Sequence, residues 1–153
     1  MIQRIQTVYL LLSSICLWLT FFFDFSIYTV GEQTVPFNLF GFENVQGSMS
    51  WFPYSIVIPI IASISVISIF QFKKRTNQLF IRRVMYQLLL LILGFIFYDT
   101  SNIFAVLKVG GQSVIIQYGI GLFLTVASLP FVFLANRAIK KDEKLVREAD
   151  RLR

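Results

Sequence analysis

Residues 5–23 read IQTVYLLLSSICLWLTFFF, nineteen positions without a charge. A helix of that length rises about 28 Å, close to the ~30 Å hydrocarbon core of a bilayer. Three further stretches have the same character: 52–72, rich in Ile and Val; 84–107, which carries Asp99; and 113–135, which ends at Asn136-Arg137. Four such spans occupy more than half of the 153 residues and leave no length for a separate soluble domain. The composition agrees. The chain is 56% apolar, only 14% charged and contains 17 Phe. Soluble domains carry about 25% charged residues, and disorder needs low hydrophobicity. The expected fold is an all-α membrane protein, a four-helix transmembrane bundle forming one domain over residues 1–153.

The first span could be mistaken for a cleaved signal peptide, since Arg4 precedes it. Its exit, Phe21-Phe22-Phe23-Asp24-Phe25-Ser26, offers no small-x-small cleavage site. Cys16 follows Ser13-Ser14-Ile15 and lacks the small residue that a lipid-attachment motif places before Cys. An uncleaved anchor is the reading.

The basic residues are distributed by side. Arg4 precedes span one; Lys73, Lys74, Arg75, Arg82 and Arg83 lie between spans two and three; seven more follow span four. That is thirteen of the fourteen basic residues, against Lys108 alone on the other face. Lys and Arg are retained on the cytoplasmic side, so both termini are expected there, with the chain in a bacterial inner membrane. Attraction to anionic head groups and the topological signal account for the net +6, and no nucleic-acid partner is expected.

The connection at 24–51 has no Lys or Arg. Phe25 to Val30 and Thr34 to Phe40 are rich in β-branched and aromatic residues, and Gly31-Glu32-Gln33 separates them. That pattern predicts a small β-hairpin, with Pro36 confining its strand to an edge. Trp51, Phe52 and Tyr54 are expected to anchor at the interface. Lys108 to Gln112 reads as a tight turn between spans three and four. The tail 136–153 carries Ile139, Leu145, Val146 and Leu152 in one apolar stripe among charges of both signs. It is expected to continue span four as a cytoplasmic helix and is the candidate partner-binding segment. Its stripe would lie on lipid, on the 73–83 loop or on another protein.

Chemistry is sparse. His is absent and Cys16 is the only cysteine, which excludes His-based triads, His or Cys metal clusters and an internal disulfide. No glycine-rich nucleotide motif occurs, and no hydroxyl has a base nearby in sequence. No cofactor, metal or catalytic residue is expected, and an enzyme is not. The candidate polar cluster is Asp99-Thr100-Ser101-Asn102, about 22 Å along span three and so toward the outer interface. An acid within a span is by default a functional suspicion. The plainer account is a bundle-facing carboxyl hydrogen-bonded near the helix end, with Lys108 as a neighbour. Ser55, Pro59 and Ser63, with Ala62, Ser65 and Ser68 beside them, and Gly121, Thr125 and Ser128 supply small faces for helix contacts. Pro59 and Pro130 should each free a carbonyl.

Both ends of the chain, Met1-Ile2-Gln3-Arg4-Ile5-Gln6-Thr7-Val8-Tyr9-Leu10-Leu11-Leu12 and Asn136 to Arg153 (NRAIKKDEKLVREADRLR), resemble a bacterial, Bacteroidota-type family. It is a four-helix inner-membrane family known only as a domain of unknown function. The resemblance covers the full length and brings no activity, substrate or catalytic residue. It implies that Arg4 and the amphipathic tail belong to the family's pattern. The function expected first is a non-catalytic accessory or scaffolding subunit, with the bilayer and a membrane-protein partner or second copy around it. The alternatives are a small transporter or channel subunit using Asp99, and a lipid or quinone binder.

Overall fold

The computed structural model describes residues 2–42, 52–70, 75–108 and 113–151. Within its helices, only the backbone is described at 2–4, 75–79, 142–143, 145–147 and 149–151. Four helices carry the bundle: α1 (Ile2–Leu19), α2 (Tyr54–Phe70), α3 (Arg75–Lys108) and α4 (Ile120–Arg151). A short 3₁₀ turn, Thr20–Phe22, ends the first. Strands β1 (Ser26–Val30), β2 (Gln33–Asn38), β3 (Gly41–Phe42) and β4 (Val114–Tyr118) form one antiparallel sheet in the order β3-β2-β1-β4.

Three helices are long and apolar enough to cross a membrane, over Ile5–Phe22, Phe80–Lys108 and Ile120–Lys141. The expected second span is shorter: α2 has 17 residues and rises about 25 Å. The expected fourth span is displaced. Residues 114–118, read as its start, are strand β4 and pair with β1, Tyr28 opposite Ile116. The reason is local: Val114-Ile115-Ile116-Gln117-Tyr118 is β-branched and aromatic, and β1 offers it a free edge. A short apolar run does not by itself tell strand from helix. The apolar helix begins only after Gly119 and continues instead through Lys141. Likewise α3 starts nine residues before Val84, so most of the expected 73–83 loop is helix.

The hairpin forms as the sequence predicts, with Val30 paired to Gln33 across Gly31 and Glu32. Gly31 sits at φ 61°, a value that a Cβ disfavours. The placement of Pro36 differs. Its strand β2 is central, not at an edge. The third strand reaches only Phe37 and Asn38, so Pro36 is asked for a ladder partner on the β1 side alone. Asn38 Oδ1 accepts the Phe40 N–H at 2.9 Å and closes the turn into β3.

The chain leaves α1 and enters α4 in close backbone contact. Gly119 N–H donates to the Phe25 carbonyl at 2.9 Å and Gly121 N–H to the Asp24 carbonyl at 3.0 Å. A Cβ at Gly119 would collide with the Asp24 carbonyl oxygen, and one at Gly121 would lie 2.6 Å from that of Phe23. The sheet is thereby fastened across one end of the bundle; the start of α1 and the end of α4 lie toward the other. Antiparallel neighbours pack between these ends. Ser14 Oγ donates to the Ala62 carbonyl at 3.2 Å and Ser65 Oγ to the Leu10 carbonyl at 3.0 Å, joining α1 to α2. Of the expected small face on α2, Ala62, Ser65 and Ser68 are buried, while Ser55, Pro59 and Ser63 are only half-buried. Thr125 and Ser128 turn their hydroxyls onto α4's own carbonyls, at Gly121 and Thr125.

Candidate functional site

The buried stripe of α3 organises the polar chemistry. Arg82, Met85, Leu89, Ile92, Ile96, Asp99, Thr100 and Ile103 are all buried, and their spacing of three and four keeps them on one face. The stripe begins with a base and approaches its far end with an acid, 17 residues or about 26 Å apart.

At the sheet end the acid has a partner within the chain. Asp99 is 6% exposed, and its Oδ2 accepts the Tyr54 hydroxyl at 2.6 Å. A hydrogen bond this short to a carboxylate is of the charge-assisted kind. Tyr54 is wholly buried, not an interface anchor, because the sheet lies over it. The Phe37 ring meets it edge-on at 5.7 Å, the Phe25 ring at 5.9 Å, and Phe52 at 5.1 Å. Phe52 in turn stacks on Phe95 of α3 at 4.5 Å, and Phe37 on Phe42 at 4.2 Å. Next to this layer, the Tyr28 hydroxyl donates to the Thr100 carbonyl at 3.3 Å. Burial pushes the Tyr28 phenol above its ordinary range.

The predicted cluster therefore divides. Asp99 and Thr100 face the core, Ser101 and Asn102 are exposed on the outer side of α3. Lys108 is not the partner of Asp99; its ammonium lies over the Phe104 ring, 5.8 Å from the centroid. The turn at 109–112 and Trp51 lie outside the described residues. Of the tail positions, Ile139 is buried within the bundle and is not available to a partner. Leu145 and Val146 continue the α4 helix, while their side chains, and Leu152 altogether, lie outside the described residues. The ion pair described on the tail is Lys144–Glu148 at 3.8 Å, exposed at both partners and of little energetic weight.

Residue type alone reveals neither Tyr54 as the donor to Asp99 nor Arg82 as buried. Tyr54 stands at the head of an apolar run, where an interface anchor also belongs. Arg82 was hidden among the five basic residues between spans two and three. The signal was present: extended backward from Met85 by three residues, the stripe reaches Arg82 and leaves Arg83 exposed.

A groove of about 610 Å³ opens beside α1, between Ile15, Trp18, Leu19, Phe21, Phe22 and Phe40. The Trp18 indole N–H is its only polar side-chain group, so it lacks the converging polar groups that mark a built ligand site. Among the described residues, no three His, Cys, Asp or Glu side chains gather where they could hold a metal ion.

The architecture defines a mostly helical protein whose apolar helices are compatible with a membrane, closed at one end by a small antiparallel sheet. The chain belongs to the family described as a domain of unknown function (DUF4293), which matches residues 2–152. Comparison with curated proteins and with solved structures gives no match.

Proposed function

We propose that this is a multi-pass protein of the bacterial inner membrane, with both termini cytoplasmic, that serves as a non-catalytic accessory or scaffolding subunit of a membrane complex. The observation that carries this reading is the course of α4. Its helix runs on to Arg151, twelve residues or about 18 Å beyond Ile139, the last residue buried in the bundle among those described. That projecting segment alternates charges of both signs and lies on the face where basic residues accumulate. A charged helical arm rooted in a bundle is suited to hold a cytoplasmic partner.

Transport through Asp99 has less support. Its carboxylate is buried and already accepts from Tyr54, within a layer of packed rings. A conducting path would need further ionisable groups deeper in the spans, where Gln87 and hydroxyls are the main polar side chains. Crosslinking in intact membranes, followed by mild-detergent purification and mass spectrometry, tests the subunit reading. Recovery of a defined complex that is lost when residues 142–153 are removed is the expected result; a lone monomer would overturn it. Thiol labelling of single cysteines placed at Glu32 and Glu148, in a Cys16→Ser background, tests the orientation. Only the first should react from outside the cell.

A further inference from the structure

Arg82 is the largest fully buried side chain among the described residues, 2% exposed, and its Nε and Nη1 have no hydrogen-bond partner. A buried guanidinium without a counter-charge is rare in folded proteins, because the lost hydration is not replaced. The bundle has no acid to give it. No Asp or Glu occurs in α1, in α2, in α3 before Asp99 or in α4 before Asp142.

Two amides share its level. The Tyr86 and Phe133 rings, 6.4 Å apart, set antiparallel α3 against α4. One turn further, Arg82 comes level with Asn136 and Arg137. The hydrogen bonds from Ser14 to Ala62 and from Ser65 to Leu10 set the step between α1 and α2, and one turn beyond Leu10 is Gln6. Counted from the Asp24–Gly121 contact, Gln6 also falls about level with Ile139 on α4. Gln6 is 8% exposed and its Nε2 is buried and unpaired, as is Asn136 Oδ1. Among the described residues, the unpaired nitrogens and the unpaired amide oxygen belong to side chains that helical register brings to about this one level. Gln6 and Arg82 are donors, and Asn136 can present its NH₂ by turning over its amide. Exposed Arg83, Arg137 and Lys140 surround the layer with positive potential.

We infer that the layer of Arg82, Gln6 and Asn136 at the terminal end of the bundle is a binding site for a phosphate diester, supplied by the head group of an anionic phospholipid. A guanidinium meets two phosphate oxygens with parallel N–H groups, and the amides supply further donors to the remaining oxygens. The site lies two residues inside Phe80, where the apolar part of α3 begins, which is the depth of lipid head groups if the chain spans a membrane. The inference rests on that membrane reading, and the test separates the two.

Full-length protein is exchanged into nanodiscs of phosphatidylcholine containing one tenth phosphatidylglycerol, and lipids retained after release are counted by native mass spectrometry. Wild-type protein should retain phosphatidylglycerol preferentially. Arg82→Gln should lower that preference about tenfold or more, the scale of losing hydrogen bonds to a charged group. Arg82→Lys should keep part of it, and the exposed neighbour Arg83→Gln should change it little. Gln6→Leu, which leaves the charge in place, should lower it a few-fold and guards against an Arg82 variant that fails to fold. Equal retention by wild type and Arg82→Gln, with Gln6→Leu also unchanged, overturns the proposal. So does thermal stabilisation by inorganic phosphate at matched ionic strength without any lipid preference, which would assign the site to a free anion. Carbonate extraction of native membranes reads the membrane location separately. A chain that stays in the washed pellet yet shows no lipid preference loses the site and keeps the location.

Discussion

Asp99 and Arg82 stand on the same buried stripe of α3, at opposite ends of the bundle, and the protein treats them differently. The acid lies beneath a sheet and is bonded to Tyr54, whose ring is packed by Phe25, Phe37 and Phe52. The base is equally buried, and its Nε and Nη1 have no hydrogen-bond partner. Burial alone cannot be the reason, since both side chains are buried. The difference lies in what the chain brings to each end. The sheet end is built from a hydroxyl, four strands and a backbone clasp; among the described side chains, the terminal end brings apolar groups, amides and more positive charge. One end is complete within the chain, and the other is completed from outside it.

The largest way to break this contrast is at the clasp. Gly119→Ala places a Cβ against the Asp24 carbonyl, and the obstacle is backbone that cannot swing aside. A loss of about 3 kcal/mol or more is expected, the upper range for single substitutions, read by thermal unfolding in detergent. Gly121→Ala, with its nearest backbone oxygen at 2.6 Å, should cost somewhat less. Melting like wild type for both would mean that β4 and the exit of α1 are not held together.

The Asp99 contact comes next. Asp99→Ala leaves the buried Tyr54 hydroxyl without its acceptor and should cost about 2–3 kcal/mol. Tyr54→Phe should cost about 1–2 kcal/mol, since the ring packing survives. Because each variant removes the same bond, the double variant should fall short of the sum by about 1 kcal/mol or more. Strict additivity would separate the two side chains energetically and undo the account of the sheet end.

Arg82 should respond in the opposite sense. Arg82→Met keeps the length of the side chain and removes an unpaired charge, so in lipid-free detergent it should be neutral or stabilise by about 1 kcal/mol. With phosphatidylglycerol present the order should reverse, because only the wild type gains a bound anion. A clear loss of stability without lipid would point to a partner for Arg82 inside the chain.

Much of this contrast is written in the sequence, though not where single spans are read one at a time. The hairpin is legible because Gly31 interrupts two β-rich runs, and the long apolar helices follow from composition. Strand β4 is not legible from its own five residues: Val114 to Tyr118 suit a buried helix as well as a strand, and only the free edge of β1, some 85 residues earlier, decides. Gly121 looks like part of a small face for helix packing until the Phe23 and Asp24 carbonyls are seen beside it. Asp99 was identifiable as a bundle-facing acid, but Tyr54 as its donor depends on the sheet folding over α2. Arg82 sits in a basic cluster whose topological meaning masks its periodicity. Long-range pairing, not residue type, is what the unread part has in common.

The smallest effect sharpens the sheet end by pH. Tyr28 belongs to strand β1, outside the apolar helices, and its buried side chain carries the hydroxyl to the Thr100 carbonyl. Burial is the main cause that raises its pKa above the ordinary value of 10.0, and its contacts with Ser26 and Thr100 offset this in part. The folded protein thus holds the phenol neutral where the unfolded chain would ionise it. Stability from this group is fully present below pH 10.0 and is lost as pH rises above that value toward the raised folded pKa. The wild type should therefore lose stability in that alkaline window more steeply than Tyr28→Phe, which has no proton to release. The difference between their melting curves at pH 9 and pH 11 isolates the group, because tyrosines shared by both proteins cancel. Parallel curves would show that the Tyr28 hydroxyl reaches water, and the sheet would then be a looser cover over Asp99 than its ring contacts require.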